Sequence, residues 1–350
     1  MSGTYIPSQS SAYSPIPEFS PLVDRHGRTI TDLRISVTDR CNYRCVYCRT
    51  GNEGPQFSEL PIPDYLRMAR AFVELGIQKV RLTGGEPLLR NGLVELVSEL
   101  ARLRTRPDDR SLDLALTTNG HLLEGQAENL KRAGLTRVTV SMDAVDSGTF
   151  TRITRVSDSF EKVQRGILAA QEAGLGPVKV NCVLLRGFND DQIVPFARFS
   201  RQHGVIVRFI EFMPLEEGRA WKPDTVVPFS ELTARLEEFR PLVKLAPSAP
   251  GETAVRYTFD DGIGEIGIIA PVSQAFCGQC ARVRLTSDGK IRTCLFSHFD
   301  HDLHAVMRQS NGGEEMRDFI RRVVARKEAR HHIGEPGFLK PSRSMVHIGG

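Results

Sequence analysis

The chain is 350 residues long, with 46 Lys and Arg against 42 Asp and Glu and a formal net charge of +4. That surplus is too small to argue for nucleic acid or a membrane surface as partner, and no apolar run approaches the roughly 20 residues of a membrane span. The length suits one barrel-sized α/β domain with an appendage, and hydrophobic content of 40% with charged content of 25% is ordinary for a soluble protein.

Residues 1–20 carry Ser and Pro without an apolar core, so they read as a disordered tail and not as a secretory signal. Over 21–225, strand-like segments at 33–38, 79–83, 112–117, 137–141, 178–184 and 205–212 alternate with helical patterns at 64–75, 92–103, 126–133, 160–173 and 191–203. Such alternation predicts parallel βα units. Six units make an incomplete (βα)6 TIM-like barrel, because closure of the common form takes eight. Residues 226–335 lose the rhythm. They hold a helix at 230–239, a linker at 246–252, and strand-like segments at 255–259, 265–270, 281–286 and 290–296, the last two joined by the turn Ser287-Asp288-Gly289. This reads as a small C-terminal α+β extension. The basic run 321–332 reads as a solvated face, and 336–350 as a flexible tail ending in Gly349-Gly350.

Side-chain parity adds chemistry to this outline. Within the six strands one face is apolar (Val80, Leu82, Leu114, Leu116, Val138, Val140, Val180, Val207, Phe209), and helices would cover it. The other face carries Arg34, Ser36, Thr38, Arg81, Thr83, Asp113, Thr117, Thr139, Ser141, Lys179, Asn181 and Arg208. A barrel normally fills its interior with branched apolar layers; this pattern predicts a wet cavity. Arg34, Arg81, Lys179 and Arg208 would point into it from four strands. Unpaired buried charge is costly, so an anion with several phosphates is the expected guest. The competing reading pairs these cations with inward acids such as Asp113.

The seven cysteines favour metal binding over disulfides by their grouping. Cys41, Cys45 and Cys48 follow the first strand in C-x3-C-x2-C spacing, with Tyr47 before the last. Cys277, Cys280 and Cys294 form C-x2-C-x13-C. Cys182, alone in an apolar strand, reads as a packed core thiol. Three ligands leave a four-ligand centre one position short. The second group could be completed as zinc by His298, His301 or His304, but Arg282 and Arg284 just after two thiols suit a polyanionic substrate held against a metal centre. A zinc-containing binding module is thus one alternative; an electron-carrying ferredoxin fails on length.

The first cysteine group resembles the cluster loop of the radical S-adenosylmethionine (SAM) superfamily. With DLRISVTDRCNYRCVYC, VRLTGGEPLLR, TTNG, FIEFMP, FCGQCARVRLTSDGKIRTCLF and the closing IGG all present, the chain from about residue 24 onward resembles the GTP 3',8-cyclase family. The resemblance implies a lyase that opens molybdenum cofactor biosynthesis. In the reaction the resemblance implies, a 5'-deoxyadenosyl radical would take hydrogen from ribose C3' of GTP, and the sugar radical would close on guanine C8. It implies two [4Fe-4S] clusters, on Cys41, Cys45 and Cys48 and on Cys277, Cys280 and Cys294. It implies SAM contacts at Tyr47, Gly85, Ser141 and Met213, and GTP contacts at Arg34, Arg81, Thr117, Lys179 and the Arg282-Val283-Arg284 segment. The Gly349-Gly350 tail would reach into the pocket. An electron donor, a homodimer and a downstream cyclic pyranopterin monophosphate synthase are the implied partners, in a cytoplasmic setting. The rival within the superfamily is a peptide-modifying enzyme with an auxiliary cluster, which needs neither the inward cations nor Arg282 and Arg284. Arg49-Thr50 stands where many members have Met-Pro.

Overall fold

The computed structural model describes residues 19–49, 56–216, 221–249, 251–310 and 312–349. All but the last two residues of the expected N-terminal tail lie outside the described residues, as does Thr50. In chain order the elements are β1 (Asp32–Ser36), α1 (Ile62–Glu74), β2 (Lys79–Thr83), α2 (Leu93–Ala101), β3 (Asp113–Thr118), α3 (Ala127–Arg132), β4 (Arg137–Ser141), α4 (Ser147–Thr154), α5 (Phe160–Glu172), β5 (Lys179–Leu184), α6 (Ile193–His203) and β6 (Ile206–Glu211). After these come α7 (Phe229–Phe239), β7 (Leu242–Leu245), β8 (Val255–Phe259), β9 (Glu265–Ile269), β10 (Arg282–Leu285), β11 (Lys290–Arg292), β12 (His301–Asp302), α8 (Leu303–Gln309), α9 (Glu314–Val324) and α10 (Met345–Ile348).

The apolar parity behaves as the pattern demands. Val80, Leu82, Leu114, Leu116, Val138, Val140, Val180, Val207 and Phe209 are all buried under helices. Their cover includes Tyr65, Met68 and Phe72 of α1, and Val163, Ile167 and Ala170 of α5. Helix α5 stops where expected: Gly174 takes φ +70° and its N–H returns to Gln171 O, a conformation that favours glycine.

The extension does not stand apart as a second layer. Among the described residues all strands form one sheet in the order β12-β11-β10-β1-β2-β3-β4-β5-β6-β9-β8-β7. Strand β10 pairs parallel with β1, and β9 pairs parallel with β6. The six βα strands are therefore extended at both edges by parallel strands from the C-terminal third. The sheet curves as a partial barrel that is not closed by pairing between its two ends, β12 and β7.

The helix α4 has no counterpart in the sequence pattern, whose Ser-Gly-Thr opening is a weak helix former. It forms because Asp146 caps it, accepting from Thr149 N at 2.8 Å, and because Phe150 and Ile153 are buried. The C-terminal residues also depart from expectation. Within 336–350, read as a flexible tail, Met345–Ile348 form α10, with Val346, His347 and Ile348 buried and the Met345 N–H bonded to Leu215 O; Gly350 lies outside the described residues.

Candidate active site

The polar parity lines a cavity of about 680 Å³ inside the curved sheet. Strand register explains how its charges are arranged. In one row across the sheet, Arg282, Asp32, Lys79 and Asp113 are neighbours. Signs alternate there, Lys79 pairs with Asp32 at 3.0 Å, and Asp113 pairs with Arg137. Two residues further along, the row reads Arg284, Arg34, Arg81. Like charges set directly opposite one another destabilise a sheet. Arg81 donates to Thr117 Oγ1 at 3.1 Å and Thr139 Oγ1 at 3.2 Å, and Arg208 donates to Thr139 Oγ1 and to Asn181 Oδ1. Arg34 Nε is buried and, among the described residues, has no hydrogen-bond partner.

Asp113 pairs with Arg137 and Asp32 with Lys79, so among the described residues neither forms an ion pair with Arg34, Arg81, Lys179 or Arg208, and the acidities of the inward cations show the strain. Burial, with the charges of Arg284 and Arg282 beside it, pushes Arg34 well below its usual range. Burial and Arg81 bring Arg208 to about 9, burial and Arg282 bring Arg284 to about 10, and burial and Arg208 bring Lys179 to about 8. A polyanion seated here would relieve all four.

The two cysteine groups lie at opposite mouths of this cavity. Cys41, Cys45 and Cys48 follow the C-terminal end of β1. Cys280 precedes β10, which runs parallel to β1 with Arg282 beside Asp32. Strand β11 returns antiparallel, with Arg292 beside Arg284, and this carries Cys294 back to the level of Arg282. A five-residue strand separates the mouths, roughly 15 Å at about 3.3 Å per residue. None of the six is joined in a disulfide, and all line the cavity.

The first mouth is built by loops that grip one another. The N–H of Gly85 donates to Thr38 O and that of Glu86 to Arg40 O, each at 2.7 Å. A Cβ on Gly85 would lie 2.3 Å from Arg40 O, and one on Gly84 would lie 2.4 Å from Thr38 O. These glycines are thus required by the cysteine loop's own backbone, whatever ligand they also meet. Glu86, fully buried, accepts from Thr118 Oγ1, Asn119 N and Leu88 N, and burial holds it up at about 7. Asp143 joins the loop to β5 by accepting from Tyr47 OH and Val183 N, each at 2.8 Å.

The donor chemistry fits iron–sulfur centres. Backbone N–H groups point at thiol sulfur in both groups, Tyr43 N to Cys41 Sγ at 3.4 Å and Phe296 N to Cys294 Sγ at 3.5 Å; hydrogen bonds to the sulfurs are one of the protein's levers on such clusters. His304, offered by the sequence as a fourth zinc ligand, instead faces Asp64 at 3.3 Å. Neither His298 nor His301 lines the cavity.

Of the residues singled out in the sequence, Tyr47, Gly85, Ser141 and Met213 line the cavity, as do Arg34, Arg81, Thr117, Lys179, Arg282 and Arg284. Val283 does not. It is 1% exposed and its side chain sits in the apolar core, because the alternation of β10 turns it away from its two arginines, so of Val283 only the backbone is on the side of the segment that could meet substrate. The tail end reaches Arg284, which donates to the carbonyls of Ile348 and Gly349. The sequence reading missed Lys79 and Arg137, which share the parity of Arg81 and Thr139. It also missed Lys327, taken for part of a solvated run, yet 2% exposed and lining the cavity.

Comparison with known proteins agrees with this geometry. The profile described as the Radical SAM superfamily matches residues 35–200, and Molybdenum Cofactor Synthesis C matches residues 205–333. The fold resembles that of Streptococcus suis SuiB, with a TM-score of 0.60 at 14% identity over 85% of this chain and 67% of that one. Fold and site together define a radical SAM protein. More narrowly, the chain is 44% identical to GTP 3',8-cyclase of Acidothermus cellulolyticus over 89% of its length and 88% of that relative. It is 43% identical to GTP 3',8-cyclase of Mycolicibacterium smegmatis over 97% of its length and 95% of that relative. The chain belongs to the GTP 3',8-cyclase family.

Proposed function

We propose that this chain converts GTP to (8S)-3',8-cyclo-7,8-dihydroguanosine 5'-triphosphate, releasing methionine and 5'-deoxyadenosine, as the first step of molybdenum cofactor biosynthesis. The observation that carries the reading is the row Arg284, Arg34, Arg81, which makes no ion pair among the described residues, inside a cavity with a cysteine trio at each mouth. When bound, a cluster with SAM at the first mouth and a second cluster at the other would supply one-electron cleavage of the sulfonium and an open iron for the base.

The chain's own residues place the reactants. Cys41, Cys45 and Cys48 would hold the first cluster, and Cys277, Cys280 and Cys294 the second. Tyr47, Gly85, Ser141 and Met213 line the part of the cavity where SAM would lie. Arg34, Arg81, Lys179, Arg282 and Arg284 would hold the triphosphate, and Thr117 orients Arg81 by accepting from it. Charge-assisted hydrogen bonds from several guanidiniums fix an anion in place as well as attract it, and a fixed triphosphate holds the ribose still between the two mouths. Helices cover the outer face of the sheet, which keeps bulk water from the cavity through that wall.

The test is anaerobic incubation of reduced, iron-loaded protein with GTP and SAM. Formation of 5'-deoxyadenosine together with a cyclised nucleotide supports the assignment. SAM cleavage that ignores GTP, together with unchanged GTP affinity in Arg34→Ala, would hand the chain to a different radical SAM chemistry.

A further inference from the structure

Two cations outside the substrate row hold the backbone of the second cysteine group. Lys327 donates to Arg282 O at 2.9 Å and to Thr293 O, so it ties the residue just beyond Cys280 and Ala281 to the one just before Cys294. Arg28 donates to Cys277 O at 2.8 Å and to the carbonyls of Glu328 and Ala329. The Glu328 carboxylate accepts from Thr293 Oγ1 at 2.6 Å. Three distant segments thus close around one cysteine group, and a cation touches the peptide backbone within two residues of each thiol.

The two cations differ in their counter-charge. Arg28 pairs with Asp24 at 2.6 Å. Lys327, almost fully buried, forms no ion pair with a carboxylate among the described residues. A buried ammonium without a counter-ion is costly, and a neutral donor would serve as well to join two carbonyls. The Glu328 carboxylate is held on Thr293 Oγ1, and the cysteine group that Lys327 embraces becomes a source of negative charge once its thiolates hold a cluster. Charge and hydrogen bonding around cluster ligands are the means by which a protein sets cluster affinity and potential.

We infer that Lys327 is a positioning residue of the second cluster, and that its buried charge raises that cluster's reduction potential while its two hydrogen bonds hold the ligand loop closed. The inference rests on the two-cluster reading above. Replacing the ammonium with a neutral side chain removes a stabilising charge from the reduced, more negative state, so the potential falls.

The experiment compares the parent protein, Lys327→Met and Lys327→Arg, all anaerobically reconstituted with iron and sulfide. Iron and sulfide are counted, and each cluster is followed by electron paramagnetic resonance during a redox titration. Lys327→Met is expected to keep the first-cluster signal. Its second cluster should be lost faster to a chelator, and at a fixed ambient potential its reduced-to-oxidised ratio should fall roughly tenfold, or about 59 mV for a one-electron couple. Lys327→Arg should recover most of both. An unchanged second-cluster signal in Lys327→Met, or loss of both clusters together, overturns the inference. A parent protein that holds only one cluster sinks the two-cluster reading itself and takes the inference with it.

Discussion

The two mouths of the cavity use the same donors beside different charges: carboxylates at the first, an arginine and a lysine at the second. At the first mouth, burial and then the Glu86 carboxylate push Cys41 up to about 11, and burial with Asp143 holds Cys45 well above the usual thiol range. At the second, burial also raises Cys280, but Arg282 and Lys327 outweigh it and bring that thiol down to about 6, whereas burial keeps Cys294 above the usual thiol range despite Lys327. The lesson is that thiolate count does not set the character of a site; its neighbours do. Acidic surroundings suit a cationic sulfonium guest, and basic surroundings suit a nucleotide.

Removing a ligand at the first mouth should break this comparison most completely. Cys45→Ser is expected to abolish 5'-deoxyadenosine formation and to lower bound iron by about half, with the second-cluster signal retained. A variant that loses all its iron would show that the mouths are not independent. Next in size is Arg34→Met. Loss of a buried charged contact costs about 2–5 kcal/mol, so GTP affinity should fall by on the order of a hundredfold or more in calorimetry. The nucleotide-free variant should melt at a higher temperature, since a like-charge neighbour of Arg81 and Arg284 has gone. A lower melting temperature would mean the arginine row carries no strain.

Lys179 gives a smaller, pH-dependent effect. Its folded value of about 8 lies below the ordinary 10.5. Between those values the unfolded chain binds more protons, so stability of the nucleotide-free protein should rise with pH across that window. GTP binding needs the charged form, so affinity should weaken as pH rises above about 8. Lys179→Met should flatten both profiles. Least disruptive is alkylation of metal-free protein near pH 7, followed by mass spectrometry. Cys280 should react ahead of Cys41, because only its thiolate is abundant there.

Much of the site was legible because it is local or periodic. Three cysteines in one loop need no fold to be seen together, and strand parity placed Arg34, Arg81, Lys179 and Arg208 on one face. Lys79 and Arg137 open the strands at 79–83 and 137–141 on the same parity, so the pattern already held them, although the inward face was drawn without them. What could not be read was long-range pairing. Nothing near Arg284 announces that it will lie beside Arg34, 250 positions earlier. Lys327 was hidden for a related reason, because a basic run shows its composition but not which member turns inward.

That distant pairing also sets an order of events during synthesis. Until residue 285 has left the ribosome, β1 lacks its partner on one side, and β6 stays open until β9 arrives. A nascent chain with its first cysteine loop already made therefore exposes two bare strand edges, the kind that recruit other chains. Loading iron before the C-terminal third has docked would place the metal on a half-built wall.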